Sequence, residues 1–218
     1  MIIVFDFDGV ILDSDLLKFN IFELLFRYEK KNIKNKILKY HFKNQGINRK
    51  VKFKHISKYI LKFKNHKKKS IELENFFKKL LSKKILSCKF NLGVKKSLNF
   101  LKKKNIPCYV ATGVKQKEIE NIILKLKIKK YFKKIYGYPK KKENILRIIK
   151  RAEKVKYSSL YFIGDSMSDL IAAQKRKVNF LGKKTTLNSK KIKNNKYFKE
   201  ENVYNLIKKV YDLNFINK

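Results

Sequence analysis

Residues 1–14 read MIIVFDFDGVILDS, and the order of residue types in this stretch decides the fold. A short, apolar, β-branched run ends on Asp6, and Gly9 marks a sharp turn just beyond it. Such a run, closed by a turn signal, predicts a buried parallel strand over residues 2–7. Asp6 and Asp8 continue the alternation and would point to one side at i, i+2. Two carboxylates about 4 Å apart repel by ~4 kcal/mol at an effective dielectric near 20. A divalent cation would remove that cost, and oxygen-only donors without His or Cys suit Mg²⁺.

Acidic residues are rare enough for their positions to carry information. The 218 residues contain 57 Lys+Arg and 17 Asp+Glu, for a formal net charge of +40. Only seven are Asp, and six of these fall within residues 6–15 and 165–169. The second window also follows an apolar run, SLYFIG, just before Asp165. Helix capping accounts for Asp13, Ser14 or Asp15 and for Asp169. It does not account for Asp6 and Asp8.

Working outward, residues 16–28 (LLKFNIFELLFRY) are apolar and compatible with a helix. Residues 30–71 contain 16 Lys+Arg and no acid, with aromatics at 40, 42, 53, 59 and 63. Leu73, Phe76, Phe77, Leu80 and Leu81 form a helical stripe. No strand pattern interrupts residues 15–88, which read as an inserted helical cap. Beyond it helices and strands alternate. Strand patterns at 107–113, 133–139, 159–165 and 178–182 are separated by helical stripes such as Ile119, Ile122, Ile123 and Ile145, Ile148, Ile149. Residues 183–199 are polar and read as a loop, and Val203, Leu206, Ile207 and Val210 close the chain with an amphipathic helix. The expected fold is α/β: a doubly wound parallel sheet, Rossmann-like, formed by residues 1–14 and 89–218, with a helical cap over 15–88. Active sites of such sheets lie at the carboxyl ends of the strands.

The net charge invites a nucleic-acid partner, but only five of the 57 cations are Arg. Lys, Asn and Ile dominate, as a drift toward A/T-rich codons would produce without selection for a partner, and Lys cannot make the bidentate contacts of Arg. A basic nucleic-acid-binding module in residues 30–71 stays as the reading from a different class, supported by the cations and interleaved aromatics. The three histidines at 41, 55 and 66 read as surface residues. No stretch reaches the roughly 20 apolar residues of a membrane helix, and the N-terminus is too acidic for a signal peptide. Two cysteines, at 88 and 108, form no framework. A reducing, cytoplasmic location is therefore expected.

DFDGVILDS (6–14), VATG (110–113), GYPKKKENIL (137–146) and GDSMSD (164–169) stand in the order of four motifs. In that order the chain resembles the haloacid dehalogenase-like hydrolase superfamily, most closely its capped phosphatases, the phosphoglycolate phosphatase and β-phosphoglucomutase-like group. The resemblance implies that Asp6 is the nucleophile, forming an aspartyl-phosphate, and that Asp8 is the general acid/base. It implies that Thr112 and the N–H of Gly113 hold the phosphoryl oxygens, and that Lys142 is the motif lysine, with Lys140 and Lys141 as neighbouring alternatives. Mg²⁺ would be held by Asp6, the backbone carbonyl of Asp8, Asp165 and, through water, Asp169. Ser166 would hold the loop or serve a turn. Tyr138 stands where the family often has a small residue. The implied reaction is hydrolysis of a small organic phosphate monoester from a phosphorylated metabolite, with a sugar-phosphate phosphomutase as the alternative on the same catalytic residues. Haloacid dehalogenation is disfavoured, because that branch lacks a second acidic residue at the position of Asp8.

Overall fold

Ile2–Phe5 forms β1, whose four residues are all buried, near the centre of a six-stranded parallel sheet. The other strands are β2 (Cys108–Lys115), β3 (Lys134–Tyr138), β4 (Leu160–Gly164), β5 (Asn179–Lys183) and β6 (Phe198–Glu200). The computed structural model describes residues 1–185 and 197–216. Strand order is β3-β2-β1-β4-β5-β6. The chain thus leaves β1 in one direction and then crosses to the other side of it. That reversal makes a crevice at the carboxyl ends of β1 and β4, where ligands of such sheets bind. β1 pairs on both sides, Val4 lying opposite Tyr109 of β2 and Phe162 of β4.

Three details of the sheet differ from the sequence expectation. β1 stops at Phe5, although the Asp6 N–H still bonds the Ile163 carbonyl at 2.9 Å. Beyond it the chain turns, with the N–H groups of Ile11 and Leu12 both donating to the Phe7 carbonyl at 2.8 and 3.0 Å, and Gly9 at a φ of 72°. Asp8 therefore sits in a turn, and strand alternation does not set its direction. β2 runs two residues past Gly113. Finally, Phe198–Glu200 is a strand that begins inside the stretch expected to be loop, because β5 leaves an edge that it pairs with in parallel. Residues 186–196 of that stretch lie outside the described residues.

The chain divides into two compact units, Met1–Asp13 with Lys89–Lys218, and Ser14–Cys88. The second is wholly helical. It contains α1 (Asp15–Leu25), α2 (Lys31–Lys43), α3 (Arg49–His55), which runs on as a π-helical turn, and α4 (His66–Lys84). Phe22 stacks on Phe53 with ring centroids 5.1 Å apart and meets Phe77 edge-on at 5.2 Å. The buried face of α4 is Ser70, Leu73, Glu74, Phe77 and Leu81, so Phe76 of the expected stripe is exposed instead. His41 is also not a surface residue. It is buried and stacked on Phe22 at 3.7 Å, with Nδ1 3.3 Å from the Lys52 ammonium, so its flat ring fills the core as an aromatic would. His55 is half-buried and stacks on Tyr40, and His66 is half-buried. Of the aromatics in residues 30–71, Phe53 is committed to this core, while Tyr59 and Phe63 are exposed.

In the first unit the strands are flanked by α5 (Val94–Lys103), α6 (Gln116–Lys125), α7 (Lys142–Ala152), α8 (Met167–Arg176) and α9 (Val203–Phe215). Ile2, Val4, Tyr109, Ala111, Leu160 and Phe162 form one face and pack against Ile145, Leu146 and Ile149 of α7 and Ala172 and Ala173 of α8. Ile3 and Phe5, at the alternate positions, face the other way, where Phe5 meets Phe132 edge-on at 6.0 Å. Asn202 caps α9 by accepting the Tyr204 N–H at 2.9 Å. Among the described residues no helix is long and apolar enough to cross a membrane.

Phe162 is fully buried in the middle of the sheet. Phe162→Ala is expected to cost about 3–5 kcal/mol of stability in urea titration, through lost burial and a residual cavity. A loss under about 1 kcal/mol would contradict this packing.

Candidate active site

The adjacency of β1 and β4 brings two distant parts of the sequence together. Asp6 is the first residue after β1 and Asp165 the first after β4, and the strands are in register with Phe5 opposite Ile163. Asp169 comes from the first turn of α8. Its carboxylate accepts the Ser166 N–H at 3.2 Å and the Ser166 hydroxyl at 2.5 Å. The helix-capping reading and the site reading of Asp169 thus fall on the same side chain, and Ser166 does hold the loop. One carboxylate oxygen from each of Asp6, Asp165 and Asp169 lies within 4.8 Å of the others, and all three residues are buried.

Lys142, the first residue of α7, is buried beside them. Its ammonium donates to Asp6 Oδ2 at 2.7 Å and to Asp169 Oδ1 at 2.5 Å. The other oxygen of Asp6 accepts the Phe7 N–H at 2.7 Å. Lys140 and Lys141 are both exposed. Burial opposes the charge on Lys142, but Asp169 and Asp6 more than offset it and hold the ammonium protonated above the ordinary lysine range. Asp6 behaves differently. Burial pushes its carboxyl up, Lys142 only partly counters this, and Asp169 adds repulsion, so its pKa rises from 3.8 to about 7.

The remaining residues singled out by the sequence are close by, outside this cluster. Asp8 is half-buried in the turn after Asp6, near enough for its charge to raise the Asp6 pKa further. Its carboxylate is not one of the three that converge. Thr112 is buried and Gly113 half-buried. They lie where β2 bulges, since Ala111 pairs with Tyr136 but the next pairing is Lys115 with Tyr138. The Thr112 hydroxyl accepts the Val114 N–H at 3.3 Å. β2 neighbours β1, so this bulge belongs to the same carboxyl edge as Asp6. Tyr138, at the end of β3, is half-buried and precedes a cis proline.

The Lys142 ammonium pairs with two of the three converging carboxylates, Asp6 and Asp169. The donors are all oxygen and buried, which fits a hard divalent cation such as Mg²⁺. Asp6, Asp165 and Asp169 are the side chains present to hold it. Sequence reasoning missed one residue that makes the cluster possible. A Cβ on Gly164 would lie 2.3 Å from Asp169 Cβ and 2.6 Å from its carboxyl carbon. The signal was a glycine directly before the second Asp window, readable as close approach but not as approach to any particular partner.

A family model described as haloacid dehalogenase-like hydrolase matches residues 3–183. No curated protein matches the chain. Among solved structures, a hydrolase from Pseudomonas syringae is similar at 15% identity and a TM-score of 0.73, over 97% of this chain and 98% of that one. A predicted phosphatase from Clostridium acetobutylicum is similar at 21% identity and a TM-score of 0.72, over 96% and 97%. A β-phosphoglucomutase from Clostridium difficile is similar at 17% identity and a TM-score of 0.72, over 99% and 100%. These likenesses are likenesses of fold.

Two outcomes follow from the site geometry. Gly164→Ala is expected to displace Asp169 and to weaken Mg²⁺ binding at least tenfold by calorimetry, while the protein stays folded; unchanged affinity would contradict the close approach. Asp6, with its folded-state pKa of about 7 above the ordinary 3.8, stabilises the metal-free fold at low pH. That contribution is lost as pH rises from about 4 through about 7. Mg²⁺ is therefore expected to raise the melting temperature more near pH 8 than near pH 5, and equal shifts at both would contradict the account.

Proposed function

The chain belongs to the haloacid dehalogenase-like hydrolases, and from that premise we propose that it is a Mg²⁺-dependent phosphatase acting on a small organic phosphate monoester through an aspartyl-phosphate intermediate. The observation that carries the reading is the convergence of Asp6, Asp165, Asp169 and Lys142 at the strand-order reversal. Phosphoryl transfer needs little covalent chemistry from a protein. It needs a positioned nucleophile and neutralisation of charge on the phosphoryl oxygens.

In the proposed reaction, the Asp6 carboxylate attacks phosphorus and the bond from phosphorus to the ester oxygen breaks. Asp8 gives its proton to the departing alkoxide. Asp8 then takes a proton from water, whose oxygen attacks the acyl phosphate. The bond between phosphorus and Asp6 breaks, releasing inorganic phosphate and restoring the carboxylate. Lys142 holds Asp6 in place and balances charge near the transferring group, and Thr112 and the Gly113 N–H hold phosphoryl oxygens. Mg²⁺, held by Asp6, the Asp8 carbonyl, Asp165 and Asp169, would supply further positive charge at those oxygens. Splitting a slow hydrolysis into two displacements on a carboxylate is the gain from covalent catalysis, and a proton donor in reach contributes about 10²–10⁴-fold. The substrate is a phosphorylated metabolite, and the acid-free stretch 30–71 adds a field that favours anions. A cytoplasmic setting accords with a sequence of only two cysteines.

A panel of phosphate monoesters, run with wild type and Asp6→Asn, tests the reading. Phosphate release that needs Mg²⁺, stops with chelator and falls on the order of 10³-fold or more in Asp6→Asn is the expected result. No Mg²⁺-dependent release from any member, with both proteins alike, would overturn it. Conversion of one sugar phosphate into its isomer through a bisphosphate, without net phosphate release, would assign a phosphomutase instead.

A further inference from the structure

The bulge that carries Thr112 and Gly113 has a cost, because it interrupts the pairing of β2 with β3 between Ala111 and Lys115. Opposite the gap lies the end of β3, and from there the chain reaches Lys142 within a few residues. The two arms of the proposed phosphate site therefore flank a gap in the ladder, which resumes only where Lys115 meets Tyr138.

Gln116, the first residue of α6, spans the gap with its side chain. Its Oε1 accepts the Gly137 N–H at 2.6 Å, and its Nε2 donates to the Ile135 carbonyl at 2.9 Å. The orientation of the amide is forced, since only the oxygen can accept from an N–H and only the nitrogen can donate to a carbonyl. The same Nε2 donates to Glu120 at 2.7 Å, one helical turn along, which holds the side chain in this rotamer. The fit is close. A Cβ on Gly137 would stand 2.5 Å from the Val114 carbonyl and 3.0 Å from the Gln116 backbone, so residue 137 has to be glycine for β3 to meet the bulge.

We propose that Gln116 is a positioning residue: its side-chain amide fixes the end of β3 against the bulge of β2, and so sets Lys142 relative to Thr112 and Gly113. It touches none of the reacting atoms. A shift of about 1 Å in a positioning element costs on the order of 10²-fold in rate, so a strut between two strand ends matters far more to turnover than to stability. The part of this inference that concerns turnover rests on the phosphatase reading; the part that concerns geometry does not.

The test uses the full chain with Mg²⁺, p-nitrophenyl phosphate as substrate, and amide ¹H–¹⁵N spectra as a readout independent of activity. Gln116→Leu keeps the approximate shape and removes both bonds. It is expected to lower kcat about 10- to 100-fold with KM altered much less, and to move the amide signals of Thr112, Gly113 and Lys142. Gln116→Glu keeps the acceptor for Gly137 but loses the donor to Ile135, and is expected to fall between Gln116→Leu and wild type; it carries the same test if the leucine variant does not fold. A purely structural role would lower the melting temperature and scale activity with the folded fraction, leaving kcat per folded molecule unchanged. That result, or signal changes confined to residues 134–137, would overturn the inference. Failure of wild type to hydrolyse the probe counts against the phosphatase reading alone, because the spectra still report whether Gln116 sets Lys142 and the bulge.

Discussion

Three buried carboxylates that converge beside the Lys142 ammonium are the constraint on which the rest of the catalytic unit depends. Left in water, Asp6, Asp165 and Asp169 would repel one another and stay apart. The fold holds them within 4.8 Å and places the Lys142 ammonium at 2.7 Å from Asp6 and 2.5 Å from Asp169. Burial, with repulsion from Asp169 added, outweighs the pull of Lys142 and pushes the Asp6 carboxyl up to about 7. Buried oxygen donors that converge this closely are suited to a cation from outside, and a divalent metal ion is the proposed one. The stability given up by burying the acids is recovered in the sheet. β1 and β4 are buried strands with ladders on both sides, and Phe162, Val4 and Ile2 seal them beneath α7 and α8.

The order of the strands explains why residues so far apart in sequence meet. Asp6 and Asp165 directly follow adjacent strands, Thr112 lies at the bulge near the end of the next strand over, and Lys142 reaches in from the helix that follows the strand beyond that. Each part of the site is thus one strand end, and the sheet works as a common ruler. The bulge in β2 is where the ruler is broken, and the side chain of Gln116 bridges the break.

Much of this was legible from residue types alone, because the informative residues are scarce. Seven Asp in a chain of net charge +40 stand out, and six of them fall in the two short windows that follow β1 and β4. The sheet was readable because its strands are short apolar runs closed by turn residues. What escaped reading depends on tertiary partners. His41 looked like a surface residue in a Lys-rich stretch, but it is the shape of its ring against Phe22 that places it in the core. Phe76 fits the helical period as well as Phe77 does, and only the packing of α4 decides between them. Asp8 was read as continuing a strand that in fact ends at Phe5, since a turn closed on the Phe7 carbonyl leaves no mark in the alternation. Gly164, Gly137 and Gln116 act on residues that no local pattern names.

The central claim is that Asp6 becomes covalently phosphorylated. The direct measurement is to quench the protein with acid during turnover of a phosphate ester with Mg²⁺, reduce with borohydride, which converts an acyl phosphate to an alcohol, and locate the reduced residue by peptide mass spectrometry. The account predicts reduction at position 6, dependent on substrate and absent in Asp6→Asn. Phosphate release with a reduced carboxylate elsewhere, or with no covalent adduct at any time during turnover, would contradict it.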